Sequence, residues 1–390
     1  MYGIFSYDNA PPRVGLKHGS QILDLELVSL LGYFDELAID STVFAQPTLN
    51  TFIGLGKSRH RLVRERLDEL LRGENTEFSK VHDQIFINAS RVTMHLPVQV
   101  GDYTDFYAGI HHAENVGRMF RPDAEPLLPN YRHMPVAYHG RASSIVVSET
   151  PIQRPSGQYL GPDNQPVFGP STALDFELEL ALIVGKSNPL GEPIPVDEAE
   201  DFIFGVALFN DWSARDIQRW EYQPLGPFLG KNFASSLSAW IVPLDELEPF
   251  RVAGPHQTPT PLPYLQQSKP AHFSLDMEVV LHTKTGDEVI ISRTNAQYLY
   301  WSFAQMIAHH TVGGCNLNIG DVLATGTISG DTPGSYGSLL ELSGNGTRPL
   351  HLPDATTRTF LADGDRVTFR GWGFSDGIRV DLGDVSGTIR

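Results

Sequence analysis

Five stretches of this chain hold side chains whose types and spacing could do chemistry. In TALDFELELALIVG (172–185), Glu177 and Glu179 are separated by one residue. Alternate side chains of a strand share a face, so both carboxylates point one way while Phe176, Leu178, Leu180 and Leu182 point the other. Neighbouring carboxylates on an otherwise apolar strand repel each other and lose hydration unless a cation compensates. An all-oxygen set is what Mg²⁺ and Ca²⁺ select. The same spacing also fits the solvent face of an amphipathic strand. The continuation of that face into Ala181 and Ile183 weighs against it, because an outward face would stay polar.

The second stretch, NDWSARDIQ (210–218), follows the apolar run FGVALF and places Asp211 where a strand gives way to a helix. Asp211 is there either a helix cap, in competition with Ser213, or a metal ligand. Arg215 and Gln218, three apart, share a helix face. The third, GDYTDFYAGIHHAENVGRMFR (101–121), gathers Asp105, Tyr107, His111, His112, Arg118 and Arg121. A single His is more often structural than chemical, but a carboxylate, a phenol, an imidazole and a guanidinium so close together favour a site. In PLGPFLGKNFASSLS (224–238), Lys231 either snorkels to solvent or sits beside anions. The last stretch, ATGTISGDTPGSYGSLLELS (324–343), has Gly326, Gly330, Gly334 and Gly337 in a loop able to approach a ligand closely. Its Glu341, among Leu339, Leu340 and Leu342, is either an outward strand residue or a buried carboxylate that orients a partner. His309 and His310 read as the end of a helix, where cations favour the dipole.

These residues need a β-rich scaffold. The pattern predicts strands over Tyr2–Tyr7, Arg13–Lys17, Gln21–Leu25, Ser144–Ser148, Leu174–Val184, Phe204–Asn210, Ala239–Val242, Leu275–Thr283, Glu288–Arg293, Val322–Thr327 and Val367–Trp372. Thr285–Gly286–Asp287 reads as a hairpin turn. Helices are expected near Leu27–Leu37, Ser58–Arg72 (with Leu62, Leu67, Leu70 and Leu71 apolar), Gly109–Phe120, Ala214–Glu221 and Asn295–His309. A module boundary falls near residues 92–100, and the fold class is α+β rather than a doubly wound sheet.

The balance of 29 Lys+Arg against 46 Asp+Glu, a net charge of −17, argues against nucleic acid or an anionic membrane as partner. An anionic substrate then needs a local cluster of metal, Lys and Arg. Cys315 is the only cysteine, so no intrachain disulfide forms and a reducing cytoplasm fits. The start, MYGIFSYDNAPP, has no basic n-region and apolar h-region, and no apolar run reaches the ~18 residues that span a bilayer. No phosphate-binding GxxxxGK[ST] or strand-linked GxGxxG occurs, so a nucleotide cofactor is not expected.

Taken in chain order, YGIFS, ILDLE, LPVQVGDY, TDFYAGIHHAENVGRMFR, YHGRASSIVVS, LDFELELALIVG, NDWSARDIQRWEYQPLGPFLGK, HHTVGGCNLNIGD and GTISG with GSLLELS resemble the fumarylacetoacetate hydrolase family over nearly the whole chain. The resemblance implies an N-terminal SH3-like barrel module (1–97), a mixed β-sandwich roll catalytic domain (98–390) and a cytoplasmic homodimer. It implies that Asp105, Glu177, Glu179 and Asp211 bind Mg²⁺ or Ca²⁺, with Lys231 and Ser235 in outer contact or at a second cation. It makes His112 the base and Glu341 the carboxylate that orients it. Arg215, Gln218 and Lys231 would stabilise a departing carbanion, and Tyr107, Arg121, Tyr138, Gln218, Tyr222 and Thr327 would touch substrate. Where the family's animal members have Gly-Thr-Thr, this chain has Ala234, Ser235 and Ser236, which keeps a hydroxyl at Ser235.

The activity so implied is hydrolysis of the carbon–carbon bond of a small β-diketo acid, 4-fumarylacetoacetate, at the end of tyrosine and phenylalanine catabolism. Two rivals remain at this point. One is an acylpyruvate or other oxo-acid enzyme of the same superfamily, disfavoured by the N-terminal module and the His112/Glu341 pair. The other is a non-catalytic binding protein, which should have lost a ligand or the base.

Overall fold

The computed structural model describes residues 1–73, 76–284, 286, 288–353 and 355–390. Its strands form a mixed α+β architecture. Among the described residues, thirteen strands join one large sheet and four form a second. The main path of the large sheet runs Phe86–Asn88, Gln21–Asp24, Arg13–His18, Tyr2–Ser6, Trp240–Pro243, Ile203–Asp211, Leu178–Val184, Val322–Ala324, Tyr103–Phe106 and Ala137–His139. The N-terminal strands are therefore continuous with the rest of the sheet, through Tyr2 against Ile241 and Gly3 against Trp240.

The strand Leu178–Val184 lies at the centre of this arrangement and is buried along its whole length. Leu178, Leu180, Leu182 and Val184 pack into a core that includes Phe369 and Leu382 of the second sheet and Met306 and Ile307 of the helix Phe303–Thr311. Ala181 and Ile183, on the opposite face, join a core built around Tyr2, Phe52 and Leu67. Period-2 alternation thus sends one set of side chains into each core, and the face that carries Glu179 never reaches bulk water. The second sheet, Glu288–Asn295, Leu275–His282, Arg366–Ser375 and Ile378–Thr388, is antiparallel throughout.

Several expected elements shift by a few residues for identifiable reasons. The helix expected over Leu27–Leu37 is Leu25–Leu30, capped by Asp24, followed by a 3₁₀ turn at Asp35–Leu37. Helix Lys57–Leu71 buries Val63, Leu67 and Leu70, so Val63 rather than Leu62 starts the apolar stripe. The segment around Gln84–Ile87 is helical over His82–Ile85 and extended over Phe86–Asn88. The helix expected over Asn295–His309 breaks into Ala296–Tyr298 and Phe303–Thr311, because Ser302 and Gln305 form a capping box that starts a new helix. The hairpin Ser156–Leu160 with Pro166–Pro170 and the strand Ile378–Thr388 were not expected from the pattern. The turn expected at Thr285–Gly286–Asp287 lies outside the described residues at Thr285 and Asp287, and the strands on either side of it pair antiparallel. Among the described residues no helix is long and apolar enough to cross a membrane.

The two-sided burial of the central strand has a thermodynamic signature. Ile183 is fully buried in the N-terminal core although it belongs to a strand of the central sheet. Ile183→Ala is expected to cost about 2–5 kcal/mol, as large-to-small core changes do, and to destabilise both modules together. Urea unfolding followed separately in each module measures this, and loss of only one transition would contradict the shared core.

Candidate active site

The sheet register assembles a cluster of acids. Asp105 lies on Tyr103–Phe106 opposite Ala324, which itself pairs with Ala181. Asp211 ends Ile203–Asp211, opposite Ser235, and its N–H donates to the Glu177 carbonyl at 3.3 Å. One carboxylate oxygen from each of Asp105, Glu177, Glu179 and Asp211 lies within 4.8 Å of the other three, and all four residues are buried. Asp211 is a member of this cluster and not a helix cap: Ala214 precedes the helix Arg215–Glu221 with no side-chain cap, and Ser213 Oγ donates to the Asp211 carbonyl.

The buried cations are too few for these acids. Lys231 Nζ contacts Glu177 Oε2 and lies 2.6 Å from Asp211 Oδ2. Arg215 Nη1 is 2.7 Å from Glu177 Oε1, and its Nε is 2.8 Å from Asp175 Oδ2. Five buried carboxylates (Asp105, Asp175, Glu177, Glu179, Asp211) therefore face two cations, an excess of three negative charges if all ionise. Burial, helped by Asp211, holds the Asp105 carboxyl well above the usual carboxylate range. Burial followed by Asp105 and Asp211 does the same to Glu179. Burial pushes Glu177 upward too, but Lys231 and Arg215 overcome it and hold Glu177 well below that range. Lys231 and Arg215 stay firmly charged, since their acid partners outweigh the burial that disfavours the cation.

A divalent ion suits this cluster. The ligands are all hard oxygens, and separations up to 4.8 Å are roughly twice a ~2.0–2.6 Å metal–oxygen distance. Asp105 Oδ1 and Glu179 Oε1 are buried without a hydrogen-bond partner, which leaves them available to an ion. Glu179 Oε2 accepts from Gly326 N–H at 3.0 Å. Gly326 has φ +75°, and a Cβ there would lie 2.2 Å from the Phe106 carbonyl, so only glycine lets this loop reach the acid. Tyr138 Oη and Ser235 Oγ donate to the two oxygens of Asp211, at 3.1 and 2.9 Å. A cavity of about 180 Å³ opens onto Asp211 and Lys231, walled by Tyr103, Tyr138, Phe228 and Ser235. A larger one, about 540 Å³, lies over the second sheet, where Arg366, Arg370 and Arg379 are all held in ion pairs. The smaller cavity is the one that reaches the acid cluster, at Asp211.

Beside the acids stands an imidazole–carboxylate pair. His112 Nδ1 is 2.6 Å from Glu341 Oε2, with both side chains buried. Burial would raise the Glu341 carboxyl, but the facing His112, with hydrogen bonds from His112, Asn115 and Ser338, holds it below its ordinary value. Asn115 Nδ2 donates to Oε1 at 2.9 Å, and Ser329 and Ser338 donate to Oε2 at 2.9 and 2.8 Å. An ionised carboxylate only accepts, so His112 Nδ1 carries the proton toward Glu341, and in the neutral ring Nε2 is the nitrogen with the lone pair. Glu341 reaches this position from the short helix Leu339–Leu342, not from a strand. His112 sits on Ile110–Phe120, which starts at Gly109, where a Cβ would lie 2.3 Å from the Thr327 carbonyl.

The other expected residues divide. Tyr107 stands edge-on to the His112 ring at 5.3 Å, Gln218 accepts from Arg215 at 3.2 Å, and Thr327 Oγ1 is buried without a partner. Arg121 instead donates to the Pro126 carbonyl at 2.6 Å, and Tyr222 is 50% exposed at the end of its helix. His111 packs against Tyr298, and Arg118 pairs with Glu114 on the surface. His309 and His310 do end a helix, but burial lowers both pKa values, so they sit there neutral and not as dipole-stabilising cations. Asp175, Asn115, Ser329, Ser338 and Tyr103 were not singled out from the sequence. Asp175 is in the same period-2 phase as Glu177 and Glu179, and Asn115 is one helical turn after His112, so both carried a local signal.

The family model described as fumarylacetoacetate (FAA) hydrolase C-terminal matches residues 103–389, and that described as fumarylacetoacetase N-terminal matches residues 2–97. The chain belongs to the fumarylacetoacetate hydrolase family. Among the family's curated members, the fumarylacetoacetases of Rattus norvegicus and Homo sapiens are each 48% identical to this chain, and that of Arabidopsis thaliana 49%. Each alignment covers 100% of this chain and 94% of the relative. Among solved structures, the fumarylacetoacetate hydrolase of psychrophilic Exiguobacterium antarcticum matches with a TM-score of 0.53 at 17% identity, covering 100% of this chain and 98% of the other. A maleylpyruvate hydrolase from Sphingobium sp. SYK-6, in complex with manganese(II) ion and pyruvate, matches with a TM-score of 0.50 at 17% identity, covering 100% and 98%. At that identity the structural matches establish the family's α+β fold.

A divalent ion bound at this cluster would compete with protons for Asp105 and Glu179. Below their raised pKa values both are protonated in the metal-free protein, and an ion must displace those protons. Titrating Mg²⁺ or Ca²⁺ into the metal-free protein should release protons into weakly buffered solution. The apparent affinity should rise with pH through those pKa values and then level off. Calorimetry in buffers of different ionisation enthalpy reads both effects, and binding without proton release would contradict the assignment.

Proposed function

We infer that this chain is a hydrolase of carbon–carbon bonds in ketonic substrates, acting on 4-fumarylacetoacetate to give fumarate and acetoacetate. The observation that carries this reading is a buried His112–Glu341 pair beside four converging carboxylates, in a chain matched over its full length by fumarylacetoacetases.

His112 Nε2 takes a proton from water, which adds to the substrate carbonyl, while Glu341 holds the ring in the tautomer that leaves Nε2 basic and stabilises the imidazolium that forms. A bound Mg²⁺ or Ca²⁺, held by Asp105, Glu177, Glu179 and Asp211, would supply Lewis-acid polarisation of the diketone oxygens. As the carbon–carbon bond breaks, its electron pair goes to the leaving carbon, which takes up a proton to complete acetoacetate. Arg215, Lys231 and Gln218 offset that developing charge. Arg215 Nη2, buried with no partner, is a donor left over for a substrate oxygen. Tyr107 stands edge-on to the His112 ring, Thr327 Oγ1 is buried without a partner, and Tyr138 lines the cavity at Asp211.

The manganese(II) complex of the related maleylpyruvate hydrolase supports a divalent ion, and the hard-oxygen ligand set favours Mg²⁺ or Ca²⁺. Ser235, through Asp211, and Lys231 would steady that ion from outside its ligand set. We take residues 1–97 as an SH3-like module and 98–390 as the catalytic roll. We also take the enzyme to be a cytoplasmic homodimer at the last step of tyrosine and phenylalanine breakdown. Phe228 and Leu225, 66% and 95% exposed between Tyr222 and Lys231, are apolar surface that a second copy would cover.

His112→Ala is expected to lower kcat on the order of 10²-fold or more, with Glu341→Gln changing it in the same direction. Near-wild-type turnover in the alanine variant, followed by loss of diketone absorbance, would remove His112 from its role. Exhaustive chelation with EDTA should abolish turnover and Mg²⁺ or Ca²⁺ should restore it, whereas activity indifferent to chelation would exclude the ion.

A further inference from the structure

Asp175 is 0% exposed and is not among the groups assigned to the reaction above. Its carboxylate accepts four hydrogen bonds. Oδ1 takes the Phe176 and Leu339 N–H groups at 2.8 and 2.7 Å, and Oδ2 takes the Leu340 N–H at 3.0 Å and Arg215 Nε at 2.8 Å. Both of its oxygens are thus fully used, and none of the four donors belongs to a substrate or a solvent molecule. Three of them lie far away in the chain or at another element: Arg215 opens the helix Arg215–Glu221, and Leu339 and Leu340 open the helix Leu339–Leu342.

That second helix carries Glu341. Its first two N–H groups are held by Asp175, and the third, that of Glu341 itself, by Ser338 Oγ at 3.3 Å. A helix of one turn has little intrinsic stability, so the direction of its side chains depends on what holds those N–H groups. Asp175 is in turn placed by the antiparallel pairs Leu174–Ala214 and Asp175–Ser213, which set it next to Arg215. The Arg215 fork then has its Nε on Asp175, Nη1 on Glu177 and Gln218, and Nη2 unpartnered. Moving Nε would swing Nη2 away from the space it faces, because the guanidinium is rigid and planar.

We propose that Asp175 is a positioning residue that locks the Glu341–His112 pair and the Arg215 fork into one fixed relation across the reacting bond. Water activation and carbanion stabilisation occur at opposite ends of that bond, and a misplacement of about 1 Å can cost 10²-fold in rate. A single carboxylate holding both ends makes the two errors rise together. Asp175 acts through other residues and touches no reacting atom. The proposal rests on the hydrolase reading above.

The test uses the full-length, Mg²⁺-loaded protein and 4-fumarylacetoacetate. Asp175→Asn keeps the shape but replaces one acceptor oxygen by a donor that opposes Leu340 N–H or Arg215. It should lower kcat by roughly 30- to 100-fold while KM and the Mg²⁺ dissociation constant move less than threefold. In a Glu341→Gln background the same change should lower kcat less than threefold further, because the alignment it protects is already lost. A purely structural role predicts lower expression and unfolding temperature with kcat per folded molecule unchanged, and that result would overturn the proposal, as would full additivity with Glu341→Gln. If the asparagine variant does not fold, Asp175→Glu keeps the charge and shifts the oxygens by one methylene. The same loss of kcat at constant KM is then expected, and wild-type kcat would again overturn it. Failure of the wild-type protein to turn over 4-fumarylacetoacetate would instead sink the hydrolase reading itself.

Discussion

The constraint on which the rest depends is an excess of buried negative charge. Asp105, Asp175, Glu177, Glu179 and Asp211 are all removed from water, and only Lys231 and Arg215 are buried among them. In a medium of low dielectric such an excess is tolerated only if protons or a multivalent cation neutralise it. The two cations are not distributed evenly. Both contact Glu177, Lys231 also reaches Asp211 and Arg215 reaches Asp175, and neither hydrogen-bonds to Asp105 or Glu179, whose carboxyls burial raises furthest, while Asp175 is raised less. One side of the cluster is thus compensated by the protein's own cations, and the other side could take an ion.

Such a cluster needs walls that do not yield, and the central sheet provides them. Leu178–Val184 is pinned between two hydrophobic cores, one from the N-terminal module and one from the second sheet and helix Phe303–Thr311. Neither core can relax without moving the other, so the oxygens of Glu177 and Glu179 are set by packing on both faces. Residues 1–97 supply no side chain to the acid cluster or the His112–Glu341 pair, but their core backs the strand that carries Glu179. Their strand Tyr2–Ser6 also extends the sheet that carries Asp211.

The imidazole–carboxylate pair is built on different logic. Glu341 accepts from His112, Asn115, Ser329 and Ser338, so its charge is met by hydrogen bonds rather than by a fixed cation. It therefore stays ionised without competing for the ion, and His112 keeps one nitrogen committed and the other free. The two acidic environments are thus built differently, one a cluster of carboxylates that could hold a metal ion and the other a carboxylate satisfied by hydrogen-bond donors. Asp175 stands at the joint between them, with a hydrogen bond into each.

How much of this was legible before folding depends on the range of each signal. Alternation along TALDFELELALIVG put Glu177 and Glu179 on one face, and the apolar continuation through Ala181 and Ile183 marked that face as internal, both local properties of a strand. The helix around His112 and the strand-to-helix change at Asp211 were equally local. The sequence by itself therefore determined which residue types were available, their phase within each element, and, through resemblance along the whole chain, the family. Only the tertiary structure decided whether Asp211 was a cap or a cluster member and whether Glu341 faced out or in. The physical reason is that Asp105, Glu177, Asp211 and Glu341 meet through strand pairings and helix caps between segments distant in the chain. No periodicity within a segment records which distant backbone N–H or carboxylate will stand opposite it.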